Sequence, residues 1–262
     1  MTTALRIMGY ELRNLARSRW VLIYGMLLLL LTDALFRFGG SGERVVLSLT
    51  SLVLLLLPLV SLVLGTMHLY HAREFIELML AQPVSRGALF AGLYGGLALP
   101  LAAAFTVGVG VPFALHGGFA AAPSAGLLLL LAGVLLTFTC TALAFLVALR
   151  FHDRAAGLGA AIVAWLAIAV LYDGLLLLAI ALFRDWPLER AVLVATFLNP
   201  VDLGRIILLL RFDLSALSGY TGAVFARFFQ GGLGLTLAIA GLLAWTAVPL
   251  AAGARRFARK DF

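Results

Sequence analysis

The sequence predicts an all-α membrane protein with six transmembrane helices, and three observations carry that expectation. Of its 262 residues, 63% are hydrophobic and only 12% charged, and the mean hydropathy is +1.10. A soluble domain is about half apolar and a quarter charged, so this chain lacks the polar residues to clothe a water-facing surface. Six stretches approach or exceed the roughly 20 apolar residues that cross a bilayer core: 20–36, 45–69, 88–115, 126–149, 155–183 and 228–252. The charges gather at the ends of these runs, where they face headgroups and loops.

Residues 1–262 therefore read as a single transmembrane domain. An even number of crossings puts both termini on one side. That side carries twelve basic residues against five acidic ones, and the other seven against six. By the positive-inside rule the termini are cytoplasmic and the membrane is the inner, cytoplasmic membrane of the cell. The net charge of +7 is thus topology; the partner it implies is the lipid bilayer, and no nucleic acid is expected.

Ahead of the first span, Leu5, Met8, Leu12 and Leu15 recur at helical spacing while Arg6, Arg13 and Arg17 take other faces. Residues 1–19 are expected to form an amphipathic helix in the interface, anchored by Trp20; an ordinary basic flank that enforces topology is the alternative. No small-residue cleavage site follows 26–31, so the first span should stay in the mature chain. Pro58, Pro100 and Pro112 fall inside spans and should kink or break them locally.

Between spans two and three, residues 71–86 form a short mixed segment that Pro83 should stop, with Ser85 capping the next helix. Phe75, Leu78 and Met79 share one face; Arg73, Glu74 and Glu77 share another. A helix of this kind suits a groove on a soluble partner, although a solvated connector would carry the same pattern. The loop Arg150–Arg154 is short enough to be only a minor second contact. Residues 184–227 form a long extracytoplasmic loop whose two apolar pieces, 191–198 and 203–212, are too short to cross and should lie at or dip into the interface.

Few residues carry chemistry. Asp173 is the one formal charge deep in a span, which costs about 2.5–3.5 kcal/mol on insertion scales, so it should face the bundle and find a partner. Tyr172, a residue of a second copy or a substrate-side proton are the candidates. Met67, His68, His71 and nearby Met79 offer soft thioether and imidazole donors that suit copper. Methionine is also ordinary membrane filler, and histidine at a helix C-terminus is favourable without metal, so no metal site is assigned. Gly92, Gly95, Gly96, Gly108, Gly110, Gly157 and Gly159 fall where helices could approach closely. The single Cys140 cannot form an intramolecular disulfide or a cysteine-based metal cluster. A P-loop needs Gly-Lys-Ser/Thr, and the only lysine is Lys260. No carboxylate pair, Ser-His-Asp set or zinc spacing is placed for hydrolysis, so no catalytic residues are expected.

Taken together, the amphipathic N-terminus, six spans, the run Glu77-Leu-Met-Leu-Ala-Gln-Pro-Val-Ser-Arg86 and the basic C-terminal end resemble the ABC-2 type transporter permeases, of type V exporter-like architecture. The pattern of an acidic residue, leucines, Pro and then Ser-Arg is the family's usual one. Val170-Leu-Tyr-Asp173 and Leu198-Asn199-Pro200-Val-Asp202 are similar to a subgroup that serves copper-site maturation of nitrous oxide reductase. Where the family commonly has small glycines after the acidic residues, Phe75 and Ile76 stand here.

The resemblance implies a homodimer with two separate ABC ATPase subunits, which would hold the ATP and Mg; no cofactor is expected on this chain. Residues 1–19 become the elbow helix and 71–86 the coupling helix, gripped by the ATPase through Arg73, Glu74, Phe75, Glu77, Leu78, Pro83 and Arg86. The subgroup implies a soluble extracytoplasmic partner on 184–227; drug, lipid or polysaccharide export is the sister possibility. Two rivals remain: a proton-coupled secondary transporter working through Asp173, and a non-transporting assembly subunit. The former should show more intramembrane polar groups and an internal repeat, and neither is visible in the sequence.

Overall fold

In lipid every backbone N–H and C=O must be satisfied within the protein, so long apolar runs become helices. The computed structural model describes residues 8, 9, 12, 18–39, 42–183, 189–209 and 232–260, and no strand occurs among them. In order they form α1 (Arg19–Phe38), α2 (Gly42–His71), α3 (Arg73–Leu80), α4 (Arg86–Leu115), α5 (Pro123–Arg150), α6 (Arg154–Leu182), α7 (Glu189–Phe197), α8 (Pro200–Leu209) and α9 (Gly232–Arg259). A one-turn helix, Gly118–Ala121, links α4 to α5. Six of these helices, α1, α2, α4, α5, α6 and α9, are long and apolar enough to cross a membrane. The chain is a multi-pass membrane protein of the expected class.

Boundaries differ from the apolar runs mainly where polar residues extend a helix past the hydrocarbon. Helix α9 runs two turns beyond residue 252 into the basic end, and α2 begins at Gly42. Residues 228–231, at the start of the sixth expected span, lie outside the described residues. So do most of 1–17 and of 184–227; Met8, Gly9 and Leu12 are helical, and Met8 sits against Gly95 of α4. Ser85 caps α4 as its position predicts, accepting from the Ala88 N–H, and Asp153 caps α6 through Ala156.

Of the local kinks or breaks expected at proline, no break occurs: α2 runs through Pro58, and α4 through Pro100 and Pro112. Neighbours tolerate the missing donors. At Pro58, Trp165 of α6 donates its indole N–H to the Leu55 carbonyl at 3.0 Å, one residue past the carbonyl that proline deprives of its usual partner.

Helix α5 is the hub, packed against α2, α4, α6, α8 and α9. About 56% of the apolar windows of α2, α4 and α5 is buried, against 6% for α6 and 17% for α9, so the last two are peripheral. Close approach depends on small residues: a Cβ on Gly133 would lie 2.1 Å from the Phe105 ring, and one on Gly108 would lie 2.8 Å from the Gly25 carbonyl oxygen. Gly157 likewise sits under the Tyr70 hydroxyl, whereas Gly159 meets nothing and Gly110 only ordinary contacts.

Gly133→Val drives two methyl groups into the fully buried Phe105 and should destabilise by about 1–3 kcal/mol, while Gly159→Ala should be neutral or slightly stabilising. Thermal unfolding in detergent reads both; equal melting temperatures for the two variants would contradict the packing described.

Candidate functional site

Two places combine exposure, charge and geometry, one at each end of the bundle. The first is α3. Its buried side chain is Ile76, with Phe75, Met79 and Leu80 packed partly against the core. Leu78 does not share that contact: it is 66% exposed, beside exposed Glu74 and Glu77. The apolar face expected to meet a partner is thus mostly turned to the bundle, because the contacts centre on Ile76 and Leu78 lies nearly opposite it on the helix. Outward, α3 presents two carboxylates around one leucine, followed by the exposed turn through Pro83.

Both basic ends of this segment are tied down. Arg73 donates to the His152 carbonyl at 2.8 Å and lies over the Tyr70 ring, while Tyr70 donates to the Phe151 carbonyl at 3.0 Å. Arg86 donates to the Lys260 carbonyl at 2.7 Å and to that of Ala258 at 3.4 Å. The last carbonyls of a helix lack intrahelical donors, and Arg86 supplies one for α9 from the start of α4. Lys260 in turn donates to the Leu149 carbonyl at 3.2 Å in the last turn of α5. The α3 segment, the α5–α6 loop and the end of α9 therefore form one hydrogen-bonded plate.

The second place surrounds Asp173. Residues Ala167–Leu171 form a single π-helical turn within α6, a feature common at functional sites. The π turn delivers Tyr172 and Asp173 toward α7 and α8, which meet at 104° and dip into the bundle. Arg205 of α8 donates to Asp173 at 2.6 Å and to Asp202 at 3.0 Å. Asn199, at the α7–α8 corner, donates to the Ile168 carbonyl at 2.8 Å and accepts from the Val201 N–H at 3.0 Å. Tyr172 donates to the Ala195 carbonyl, and Trp245 of α9 to that of Phe197 at 3.0 Å. Arg205 also borders a cavity of about 490 Å³ between α2, the π turn and α8.

So Asp173 does have an ionic partner, but it is neither Tyr172 nor a group outside the chain. In the sequence Arg205 reads only as a loop residue, and Asn199 and Asp202 only as part of a loop run that resembles the subgroup. The Asp-x-x-Arg spacing inside an apolar piece was the available signal: at i and i+3 on one helix the two pair readily. The Met67–His71 cluster offers less. His68 has its Nε2 shut off from solvent and its ring beside Phe145, and His71 is exposed. No group of three or more His, Cys, Asp or Glu able to hold a metal ion occurs among the described residues.

Comparison with known proteins agrees with this architecture. Residues 5–262 match the family described as ABC-2 family transporter protein. Over 228 residues the chain is 30% identical to a probable ABC transporter permease protein NosY of Pseudomonas aeruginosa, covering 80% of this chain and 82% of that protein. A probable ABC transporter permease protein NosY of Stutzerimonas stutzeri is 26% identical over 260 residues, 92% of each.

The ion network makes a quantitative claim. Asp173→Ala and Arg205→Ala should each destabilise, and together by less than the sum, with a coupling of about 0.5–3 kcal/mol. Unfolding of the two single variants and the double in one detergent measures it; strict additivity would show that the pair does not interact.

Proposed function

We propose a mechanical role from one premise: the chain belongs to the ABC-2 family of transporter proteins. In this reading it is the membrane-spanning permease subunit of an ABC transporter. It acts as a homodimer in the inner membrane with both termini cytoplasmic, residues 1–19 serving as elbow helix. ATP and Mg bind on two separate ATPase subunits. These grip α3 and the turn to Arg86 as a coupling helix, and this chain supplies no catalytic group.

The observation that carries the reading is the arrangement of α3. It offers Glu74, Glu77 and Leu78 outward, while Arg73 at its start and Arg86, beyond the turn that follows it, fasten the segment to the α5–α6 loop and to the end of α9. A push on the exposed face reaches two further spans without passing through the soft apolar core. Helix ends joined by charged donors suit that task, since hydrogen bonds to charged groups contribute about 1.5–3 kcal/mol each.

A second layer concerns the opposite end. The runs 170–173 and 198–202 resemble a subgroup that serves copper-site maturation, and the likeness to permeases named NosY fits that reading; an extracytoplasmic protein partner would then dock on the 184–227 region. The bent α7–α8 pair, fastened to α6 through Asn199 and Arg205, is the element such a partner would sense. Export of a small molecule is the other use of the same machine. A proton-coupled transporter is less well supported, because Asp173 is held by Arg205.

Leu78→Asp should weaken association with the ATPase by about tenfold or more, as for an interface anchor. Glu77→Arg should act the same way, and Arg86→Gln should leave association intact while lowering ATP-driven activity. Membrane insertion should be unchanged in all three. Co-purification and ATP hydrolysis in proteoliposomes measure these effects. A chain that purifies alone and supports ATP-independent, proton-coupled uptake would overturn the proposal.

A further inference from the structure

The basic side chains at the α3 end of the bundle are not spread as a flank. Arg150 from the end of α5, His152 from the α5–α6 loop, Arg255, Arg256 and Arg259 from α9, and Lys260 after it converge on one cleft of about 550 Å³. Among the described residues, Leu149 is the one apolar residue of the lining and none is acidic. Topology alone requires only that basic residues sit near span ends; it does not require two segments a hundred residues apart to bring them to a common recess.

The clustering is electrostatically unfavourable unless an anion is present. Arg255, Arg256 and Arg259 stand three and four residues apart on one helix, where like charges repel. Asp261 is the only acidic side chain in residues 228–262 to offset them. Burial, and after it the nearby Arg73 guanidinium, holds the Lys260 ammonium below the usual lysine range.

Position then selects the anion. The cleft lies where two spans, α5 and α9, end, which is headgroup depth in a bilayer. Exposed Leu237 and Val248 stand eighteen and seven residues before Arg255 and so share its helical face. A strip of apolar side chains on a span that is only 17% buried therefore leads up to the cationic recess. We propose that this cleft binds the phosphate headgroup of an anionic phospholipid whose acyl chains lie along α9. The site is separate from the exposed face of α3 and from the Asp173 network.

The test uses the full chain without any ATPase, so its outcome is independent of the coupling role. Reconstituted into nanodiscs of mixed phosphatidylglycerol and phosphatidylcholine and analysed by native mass spectrometry, the wild type should retain phosphatidylglycerol selectively. Arg255→Gln/Arg256→Gln/Arg259→Gln should lose about tenfold or more of that selectivity. Arg13→Gln/Arg17→Gln/Arg19→Gln, which removes as much charge from the same side, should keep most of it. Melting temperatures in pure phosphatidylcholine check that both variants fold, and Arg256→Gln alone, with a smaller loss, serves if the triple variant does not. Absence of selectivity in the wild type, or equal losses in the two triple variants, would mean diffuse attraction only and overturn the site. Displacement of the retained lipid by millimolar inorganic phosphate would reassign the cleft to a soluble anion, and a partner protein cross-linked through position 256 in place of lipid would reassign it to protein docking.

Discussion

A carbonyl that leaves its helix inside or at the edge of a bilayer must find a donor elsewhere in the protein, and the contacts that define this molecule meet that requirement. Water cannot satisfy such groups in the hydrocarbon region, and four carbonyls are left over at every helix C-terminus. Arg86 supplies the end of α9, Lys260 the end of α5, and Arg73 with Tyr70 the loop that follows α5. At the other end, Asn199 reaches the Ile168 carbonyl in the π turn, and Trp245 the Phe197 carbonyl where α7 stops. Each bond joins elements far apart in sequence. Satisfying the backbone is therefore also what cross-links the bundle.

This arrangement gives the fold two stiff ends joined by apolar helices. At the α3 end, a short exposed helix and the turn after it are fastened by Arg73 and by Arg86 of α4 to the α5–α6 loop and the end of α9. At the α7–α8 end, one guanidinium bridges two carboxylates, one on a peripheral span and one on its own helix. Breaking such a bridge by removing one partner leaves a poorly solvated charge, which is costlier than losing a neutral contact. Displacement at one end is thus more readily carried as a shift of whole helices than absorbed as local repacking.

The spans were legible because crossing a bilayer demands length and hydropathy, both local properties. Ser85 as a cap was legible for the same reason, as was the need for Asp173 to have a partner. The partner's identity was not, because Arg205 stands 32 residues on and reaches Asp173 only once α8 dips into the bundle. Which side of α3 turns inward was also hidden: in an eight-residue helix with apolar side chains at 75, 76, 78, 79 and 80, pattern alone cannot separate Ile76 from Leu78. Prolines misled because their cost depends on whether a neighbour such as Trp165 can reach the strained turn. Gly133 carried no spacing signal at all, since what makes it essential is the Phe105 ring on another helix.

Helix α6 shows how position is specified when burial cannot do it. Only 6% of its apolar window is buried, and in lipid apolar side chains gain little by meeting other helices rather than acyl chains. Its placement rests instead on directional contacts: Trp165 to α2, Ile168 to Asn199, Tyr172 to Ala195 and Asp173 to Arg205. Three of these four lie within or just beyond the π turn and engage the α7–α8 pair. A span held by a few polar bonds at one level, with lipid or a second copy along most of its length, can pivot about that level at small cost in packing. The π turn gathers those bonds in one place, and α6 and the bent pair are consequently expected to move as a unit.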